Sequence, residues 1–239
     1  MRLGIDIGGT CTDFVLEQEG QLRCLKSQTT VSAPSLGVLN GIEALSKQLG
    51  LSVLEFVSQI ESIVHGTTIA TNALITGEIA RTALLTTQGH PDVLVFREAG
   101  RMGLPTFDHS IQYPSPFIPR SLTFEIVERI DESGNVKIPV SEQQIRQQLR
   151  VLADAKIDAI AVCLLWSIVN PIHESIVGSL IEELLPDVYF SLSHEVNPRI
   201  REYRRASSTS IDASLKPVVT SYLEELKLSL DLKGFTGSL

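Results

Sequence analysis

The sequence predicts an α/β protein, a mixed sheet with helices followed by a second, smaller α/β unit. Three observations carry that prediction. The chain opens with two strand-like runs joined by a glycine pair, Leu3-Gly4-Ile5-Asp6-Ile7-Gly8-Gly9-Thr10-Cys11-Thr12-Asp13-Phe14-Val15-Leu16, in which Ile5 and Ile7 alternate with Asp6 at the two-residue period of a strand. Short apolar runs and helical apolar spacings then alternate along the chain, ending in a β-α-β-α-β rhythm over 122–193. Finally, 239 residues with 43% hydrophobic content suffice to bury the core of one large or two modest domains.

Composition excludes several function classes. A net charge of −8 gives no broad basic footprint for nucleic acid or an anionic membrane. No apolar run reaches the length of a membrane span. The sequence enters a strand directly, without a charged leader and apolar segment, so no secretory signal is expected. Cys11, Cys24 and Cys163 are widely spaced and form no pairing motif, which fits a reducing, cytoplasmic setting.

The opening turn is the first chemical feature. Gly8 and Gly9 permit a sharp turn and close approach of a ligand to the backbone. Thr10 and Thr12 add hydroxyls beside the turn amides, and Asp6 and Asp13 flank it with carboxylates. Successive backbone N–H groups form an anion nest, and a nearby carboxylate holds Mg²⁺ or its waters, a combination suited to a nucleotide phosphate. A dinucleotide fingerprint is excluded, because the β-rich run after the turn replaces the helix and third glycine it requires. Without a ligand the same residues would be an ordinary hairpin, but two aspartates and two threonines exceed what a turn needs.

A third strand is expected over 21–30. Pro34 starts a helix with Leu36, Leu39, Ile42, Leu45 and Leu49 at helical spacing, and Gly50 ends it. Ser52 and Glu55 form a capping-box pattern for a short helix. A buried strand over 60–64 runs into His65-Gly66-Thr67-Thr68-Ile69-Ala70-Thr71-Asn72-Ala73, where threonine hydroxyls meet the free N–H groups of a helix start. A strand over 80–86 and a short helix over 92–96 precede Arg97-Glu98-Ala99-Gly100-Arg101 and a proline-rich loop over 103–120. One strand over 122–130, a helix from Ser141 to Ala155, a buried strand over 157–165, a helix from Pro171 to Leu185 and a strand over 188–193 follow. His173 and Glu174 are expected to face solvent or cap their helix. The last helix is expected over 199–227 with a break near Pro217, and its arginines 199, 201, 204 and 205 are expected to pair with surface acids.

Asp-Ile-Gly-Gly-Thr-x-Thr-Asp resembles the first phosphate loop of the sugar kinase, Hsp70 and actin superfamily. Its Thr-Asp ending, together with His-Gly-Thr-Thr-Ile-Ala-Thr-Asn-Ala, Ser-Leu-Ser-His-Glu-Val and Arg-Glu-Tyr-x-Arg, resembles the hydantoinase A, 5-oxoprolinase and acetone carboxylase β-subunit branch. The chain departs from that pattern at Cys11, where phenylalanine is usual, and at Asp212, where asparagine is usual. The resemblance implies a ribonuclease H-like (actin-like ATPase) fold, and the opening of three strands and a helix agrees with it. It also implies a core over 1–90 completed by 194–239, with 91–193 as an inserted or packed α/β unit.

The resemblance further implies an ATP-dependent opening of a hydantoin or 5-oxoproline ring through phosphorylation of the carbonyl oxygen. A β-type subunit of a ketone carboxylase is the alternative. A small-molecule kinase shares the first loop but not the histidine-threonine segment. A non-catalytic nucleotide-binding or assembly module is the alternative of another class, since no second phosphate loop is found. The implied roles are phosphate contacts by Gly8, Gly9, Thr10, Cys11 and Thr12, and Mg²⁺ at Asp6. Catalytic contributions are implied for Asp6, Asp13, His65, Thr67 and Thr68, and substrate contacts for Asn72, Arg97 and Arg101. ATP and Mg²⁺, with a further divalent metal as an option, are the implied cofactors. The implied partners are a missing C-terminal half or a hydantoinase B-type subunit, in an oligomer.

Overall fold

The computed structural model describes residues 1–30, 33–99 and 115–239. It divides into two compact units, Met1–Glu78 with Val218–Leu239, and Ile79–Pro217. The first unit opens with β1 (Arg2–Ile7), β2 (Cys11–Gln18) and β3 (Gln21–Gln28). Then come α1 (Pro34–Gln48), α2 (Val53–Ser58), β4 (Ser62–Thr67) and α3 (Ile69–Thr76). The sheet order is β3-β2-β1-β4, with the first three strands antiparallel and β4 parallel to β1. The three strands and helix expected of the opening are present, and β4 adds to them in parallel.

The strand alternation sorts the two faces of this sheet. Leu3, Ile5, Ile7, Phe14, Leu16 and Ile63 point into a core with Val38, Ile42 and Leu45 of α1. Tyr222, Leu226 and Leu230 of the last helix close that core. Asp6 and Val64 lie on the open face. Helix α1 buries a face of smaller residues than its leucine spacing predicts. Gly37, Val38 and Gly41 are inside, and Leu36 is half exposed. Gly41 lies flush against the Phe14 ring. The capping box of α2 is present, with Ser52 Oγ accepting from Glu55 N and Glu55 Oε2 accepting from Ser52 N.

The second unit contains β5 (Thr82–Thr87), α4 (Val93–Phe96), β6 (Thr123–Ile126), β7 (Arg129–Ile130) and β8 (Val136–Ile138). It continues through α5 (Glu142–Asp154), β9 (Ala159–Cys163), α6 (Ile172–Leu184), β10 (Tyr189–Leu192) and α7 (Ser193–Val196). Helix α8 (Glu202–Asp231) begins in this unit and ends in the first. The sheet is parallel in the order β10-β9-β5-β6. Its central strand β9 is buried at every position, as a strand covered on both faces must be.

Three sequence expectations change. The run 122–130 is two strands, β6 in the parallel sheet and β7 in a hairpin with β8. The chain bends between them, where Gln144 Oε1 accepts from Val127 N at 2.9 Å and Glu128 turns its carboxylate inward to His173. Helix α8 runs through Pro217 rather than breaking there. The strand predicted over 80–86 is β5, at the centre of the second sheet, so the units change at Glu78 and again at Val218, where the expectation was 90 and 194. The proline-rich loop over 103–120 falls largely outside the described residues, as does Arg101. Among the described residues no helix is long and apolar enough to cross a membrane.

Candidate functional site

The β1–β2 turn is closed by Gly8 N donating to Cys11 O at 3.0 Å. Thr29, just past β3, braces it from behind. Its amide donates to Thr10 O at 3.0 Å and its hydroxyl to Gly8 O at 2.9 Å. Because the Thr29 hydrogen is committed to Gly8, the 2.9 Å contact with Thr12 Oγ1 has Thr12 as donor. Thr12 is fully buried, so its hydroxyl stabilises the turn and does not face a ligand. Thr29 was not singled out from the sequence, and only its place beyond a strand opposite the glycine turn could have indicated it. Gly9 and Thr10 are exposed at the tip, and a side chain at Gly9 would meet nothing.

Register places the carboxylates. Asp6 sits opposite Asp13 on one side and Gly66 on the other, so all three share the open face of the sheet. A Cβ at position 66 would come 3.3 Å from Asp6 Oδ1, so the glycine preserves room beside that carboxylate. Asp13 pairs with Lys26 Nζ at 3.1 Å in an exposed bridge. Hard oxygen donors with open space beside them fit Mg²⁺ or its waters, and Asp6 is the less encumbered of the two.

The second segment meets the turn in a cavity of about 760 Å³, lined by Gly8, Gly9, Thr67, Thr68, Asn72 and Tyr222. Thr67 Oγ1 accepts from Ile69 N at 3.2 Å. Thr68 reaches Ile7 O through its amide at 3.3 Å and its hydroxyl at 3.4 Å, and Asn72 Nδ2 donates to Thr68 Oγ1 at 3.4 Å. Among the described residues no lysine or arginine lines this cavity.

His65 goes elsewhere. It lies opposite Ile5 in register, on the core face, whereas Asp6 and Gly66 lie on the open face. Its Nε2 is 2.6 Å from the Tyr222 hydroxyl, with ring centroids 5.5 Å apart. The structure therefore gathers Gly8, Gly9, Thr67, Thr68 and Asn72 around one cavity and sets Asp6 beside Asp13. His65 shares the core face with Thr67 and touches Tyr222 of the cavity wall, and the sheet separates it from Asp6 and Asp13. Cys11 contributes its carbonyl to the turn. Arg97 lies in the second unit at the end of α4, with a φ of +50°. Arg97 and Glu98 form no ion pair among the described contacts. Glu98 instead accepts from Arg204 Nε at 2.9 Å and lies 3.6 Å from Arg201.

The second unit holds a buried polar network that the sequence reading missed. His173 and Glu174 are buried, not solvent-facing. Glu174 accepts from Leu164 N at 2.8 Å, Ser193 Oγ at 2.6 Å, His194 N at 3.0 Å and His194 Nδ1 at 2.6 Å. His173 Nδ1 bonds Glu128 Oε2 at 2.6 Å. Arg205, expected at the surface, is buried and donates to Leu164 O at 2.7 Å and Ser193 Oγ at 3.2 Å. Asp212, the departure from the family pattern, accepts from Ser191 Oγ at 2.6 Å.

The two units hold histidines with opposite shifts. Burial pushes His65 below the usual imidazole value of 6.5, and the Glu174 hydrogen bond raises His194 above it. The unfolded chain protonates position 65 first, so that contribution to stability is lost as pH falls below 6.5. The His194 contribution is full below 6.5 and lost as pH rises through its raised value. An NMR titration of the ring C–H signals should show one imidazole titrating below and one above 6.5. Both on the same side would contradict the assignment.

Comparison with known proteins bears on the family and the fold. The hydantoinase/oxoprolinase N-terminal region matches residues 2–185. The chain is 37% identical to the acetophenone carboxylase gamma subunit of Aromatoleum aromaticum, over 99% of this chain and 34% of that protein. It superposes on the crystal structure of ATP-dependent caprolactamase from Pseudomonas jessenii with a TM-score of 0.88 and 32% identity, covering 100% of this chain and 35% of that one. A nucleotide-free structure of acetone carboxylase, from work on ATP-dependent acetone carboxylation, gives a TM-score of 0.81 at 26% identity over 98% of this chain and 34% of that one. The chain thus spans about a third of the length of the curated relatives it matches. On the match over residues 2–185, it belongs to the hydantoinase/oxoprolinase N-terminal family.

Proposed function

We propose that this chain is the N-terminal part of an ATP-dependent enzyme that opens a cyclic amide, of the hydantoin or 5-oxoproline kind. A lactam carbon is a poor electrophile. Transfer of the γ-phosphoryl group to the carbonyl oxygen breaks its bond to ADP and forms an imidate-like phosphate. Water then attacks that carbon, and phosphate leaves as the ring opens. The observation that carries the reading is the cavity in which the Gly8-Gly9 turn faces Thr67 and Thr68 with Asn72. Phosphoryl transfer asks a protein mainly for positioning and charge neutralisation.

In this reading the exposed amides at Gly9 and Thr10 hold phosphate oxygens. Thr67 and Thr68 face the reacting group, and Asn72 faces the substrate. With no lysine or arginine among the described lining residues, phosphate charge has to be met by backbone N–H groups and a divalent ion. Asp6, with the open space at Gly66, would hold Mg²⁺ directly or through water, and the ion would supply that neutralisation. Asp13, paired with Lys26, supports the rim of the turn and is poorly placed as a free base. Relatives named as subunits support a further proposal, that the chain works with a hydantoinase B-type partner subunit in an oligomer.

ATP hydrolysis by the gene product that carries this chain, with Mg²⁺ and a panel of hydantoins, 5-oxoproline and simple ketones, tests the reading. A cyclic amide should stimulate turnover without bicarbonate, and Asp6→Ala should lower it about 100-fold or more. The likeness to the two ketone carboxylases favours a second reading, and a requirement for both ketone and bicarbonate would select it. Unstimulated ATP turnover with nucleotide binding indifferent to Asp6→Ala would defeat both.

A further inference from the structure

We propose that Tyr222 is a positioning residue of the phosphate site, acting through His65 to fix the end of β4 against the glycine turn. The inference rests on the reading of the Gly8–Thr68 cavity as that site. Tyr222 lies on α8, 157 residues from its partner, and is 7% exposed, with its ring in the core and in the cavity wall. Burial raises the tyrosine above its usual titration range, so the hydroxyl keeps its proton, and the Ile5 backbone beside the imidazole favours a proton on the ring nitrogen away from Tyr222, which makes the hydroxyl the donor. His65 Nε2 is then the acceptor and Nδ1 carries the ring proton. Nδ1 is buried with the Ile5 backbone beside the ring favouring its proton, and the 2.6 Å contact with Tyr222 is the short hydrogen bond of the imidazole.

Bond lengths decide what holds the β4 end in place. Beyond the last ladder pair, Ile7 with Thr67, the described hydrogen bonds from the turn to β1 are those of Thr68 to Ile7 O at 3.3 and 3.4 Å. Those lie at the weak end of hydrogen bonding, whereas the Tyr222–His65 bond is 2.6 Å. His65 immediately precedes Gly66, Thr67 and Thr68, so a fixed imidazole fixes the hydroxyls that line the cavity. Beyond His65 lies a second cavity, of about 550 Å³, lined by His65, Leu223, Glu224, Lys227 and Asp231. Tyr222 lines the first cavity and His65 the second, so the pair stands between two open volumes just where the β1–β4 ladder ends. A displacement of about 1 Å in a positioning group can cost about 100-fold in rate. The pair should therefore govern the chemical step more than ground-state binding.

The test is ATP turnover by the gene product that carries this chain, comparing Tyr222→Phe, His65→Gln and His65→Leu with the wild type and Asp6→Ala. Tyr222→Phe keeps the buried ring and loses only the donor. It should lower kcat about 10- to 100-fold and leave the KM for ATP within about threefold. His65→Gln keeps an oxygen acceptor for the hydroxyl and should stay near wild type, while His65→Leu should match Tyr222→Phe. The ¹⁵N signals of His65 should report the Nδ1–H tautomer in the wild type and a changed pattern in Tyr222→Phe. Wild-type kcat in Tyr222→Phe, or equal damage in His65→Gln and His65→Leu, would overturn the proposal while an inactive Asp6→Ala left the site reading intact. A wild type without ATP turnover and an inert Asp6→Ala would bring down the site reading, and this proposal with it.

Discussion

Replacing Glu174 with alanine should cost the second unit about 4 kcal/mol, because it breaks a buried charge network and leaves its donors behind. The carboxylate is fully buried and takes four hydrogen bonds from three places, Leu164 after β9, Ser193 after β10, and both the amide and the ring of His194. Alanine leaves those four donors facing a void too dry to satisfy them, and each buried unsatisfied group costs about 1–3 kcal/mol. Domain stabilities are about 5–15 kcal/mol, so one substitution removes a large share. Glu174→Gln should cost about half as much. One amide oxygen still accepts two of the bonds, but the NH₂ group confronts the other two donors. Trp166, the only tryptophan of the chain, sits in this unit and reports urea unfolding by fluorescence. A midpoint shift equivalent to less than about 1 kcal/mol for Glu174→Ala would show that water replaces the carboxylate and that the network is not cohesive.

That network also marks where the sequence stops being legible. The β1–β2 hairpin, the Ser52–Glu55 capping box and the Ser141 cap are written in neighbouring residues, and they appear where the sequence places them. The cavity residues Gly8, Gly9, Thr67 and Thr68 were legible for a related reason, since each lies in a turn at the end of a strand. His173 and Glu174 stand in the polar first turn of a helix, a pattern that reads as solvent-facing. Their burial depends on Glu128, Leu164 and Ser193, which the fold brings from other loops. Arg205 reads as one of four surface arginines for the same reason. Two placements at the site have a similar origin. His65 follows the core-facing Ile63 by two residues and so takes the core face, but its partner Tyr222 comes from 157 residues away, which no local pattern encodes. The hydroxyl of Thr12 is taken up by Thr29, a residue of ordinary appearance on another strand end.

Gly41→Ala should destabilise the first unit by about 3 kcal/mol, against the sign that helix propensity alone would give. In an exposed helix interior the same change gains about 1 kcal/mol. Here α1 is pressed onto β2. A Cβ at position 41 would fall within the Phe14 ring, 2.7 Å from Cε1 and closer still to Cε2 and Cζ. Phe14 is fully buried among Val38, Ile42 and Leu45, so the ring has nowhere to swing, and either the helix lifts or the ring leaves its preferred rotamer. The displacement matters to the site as well, because β2 carries Thr12, which donates to the Thr29 brace of the glycine turn. Gly37, one helical turn earlier, supplies the control. Its Cβ would meet nothing closer than Thr30 N at 3.5 Å, so Gly37→Ala should be neutral or slightly stabilising. Chemical denaturation followed by hydrogen exchange at β1 and β2 amides measures both variants, and Phe14→Leu in the Gly41→Ala background should recover part of the loss. Equal stability of Gly41→Ala and Gly37→Ala would mean that α1 does not approach β2 as closely as these positions require.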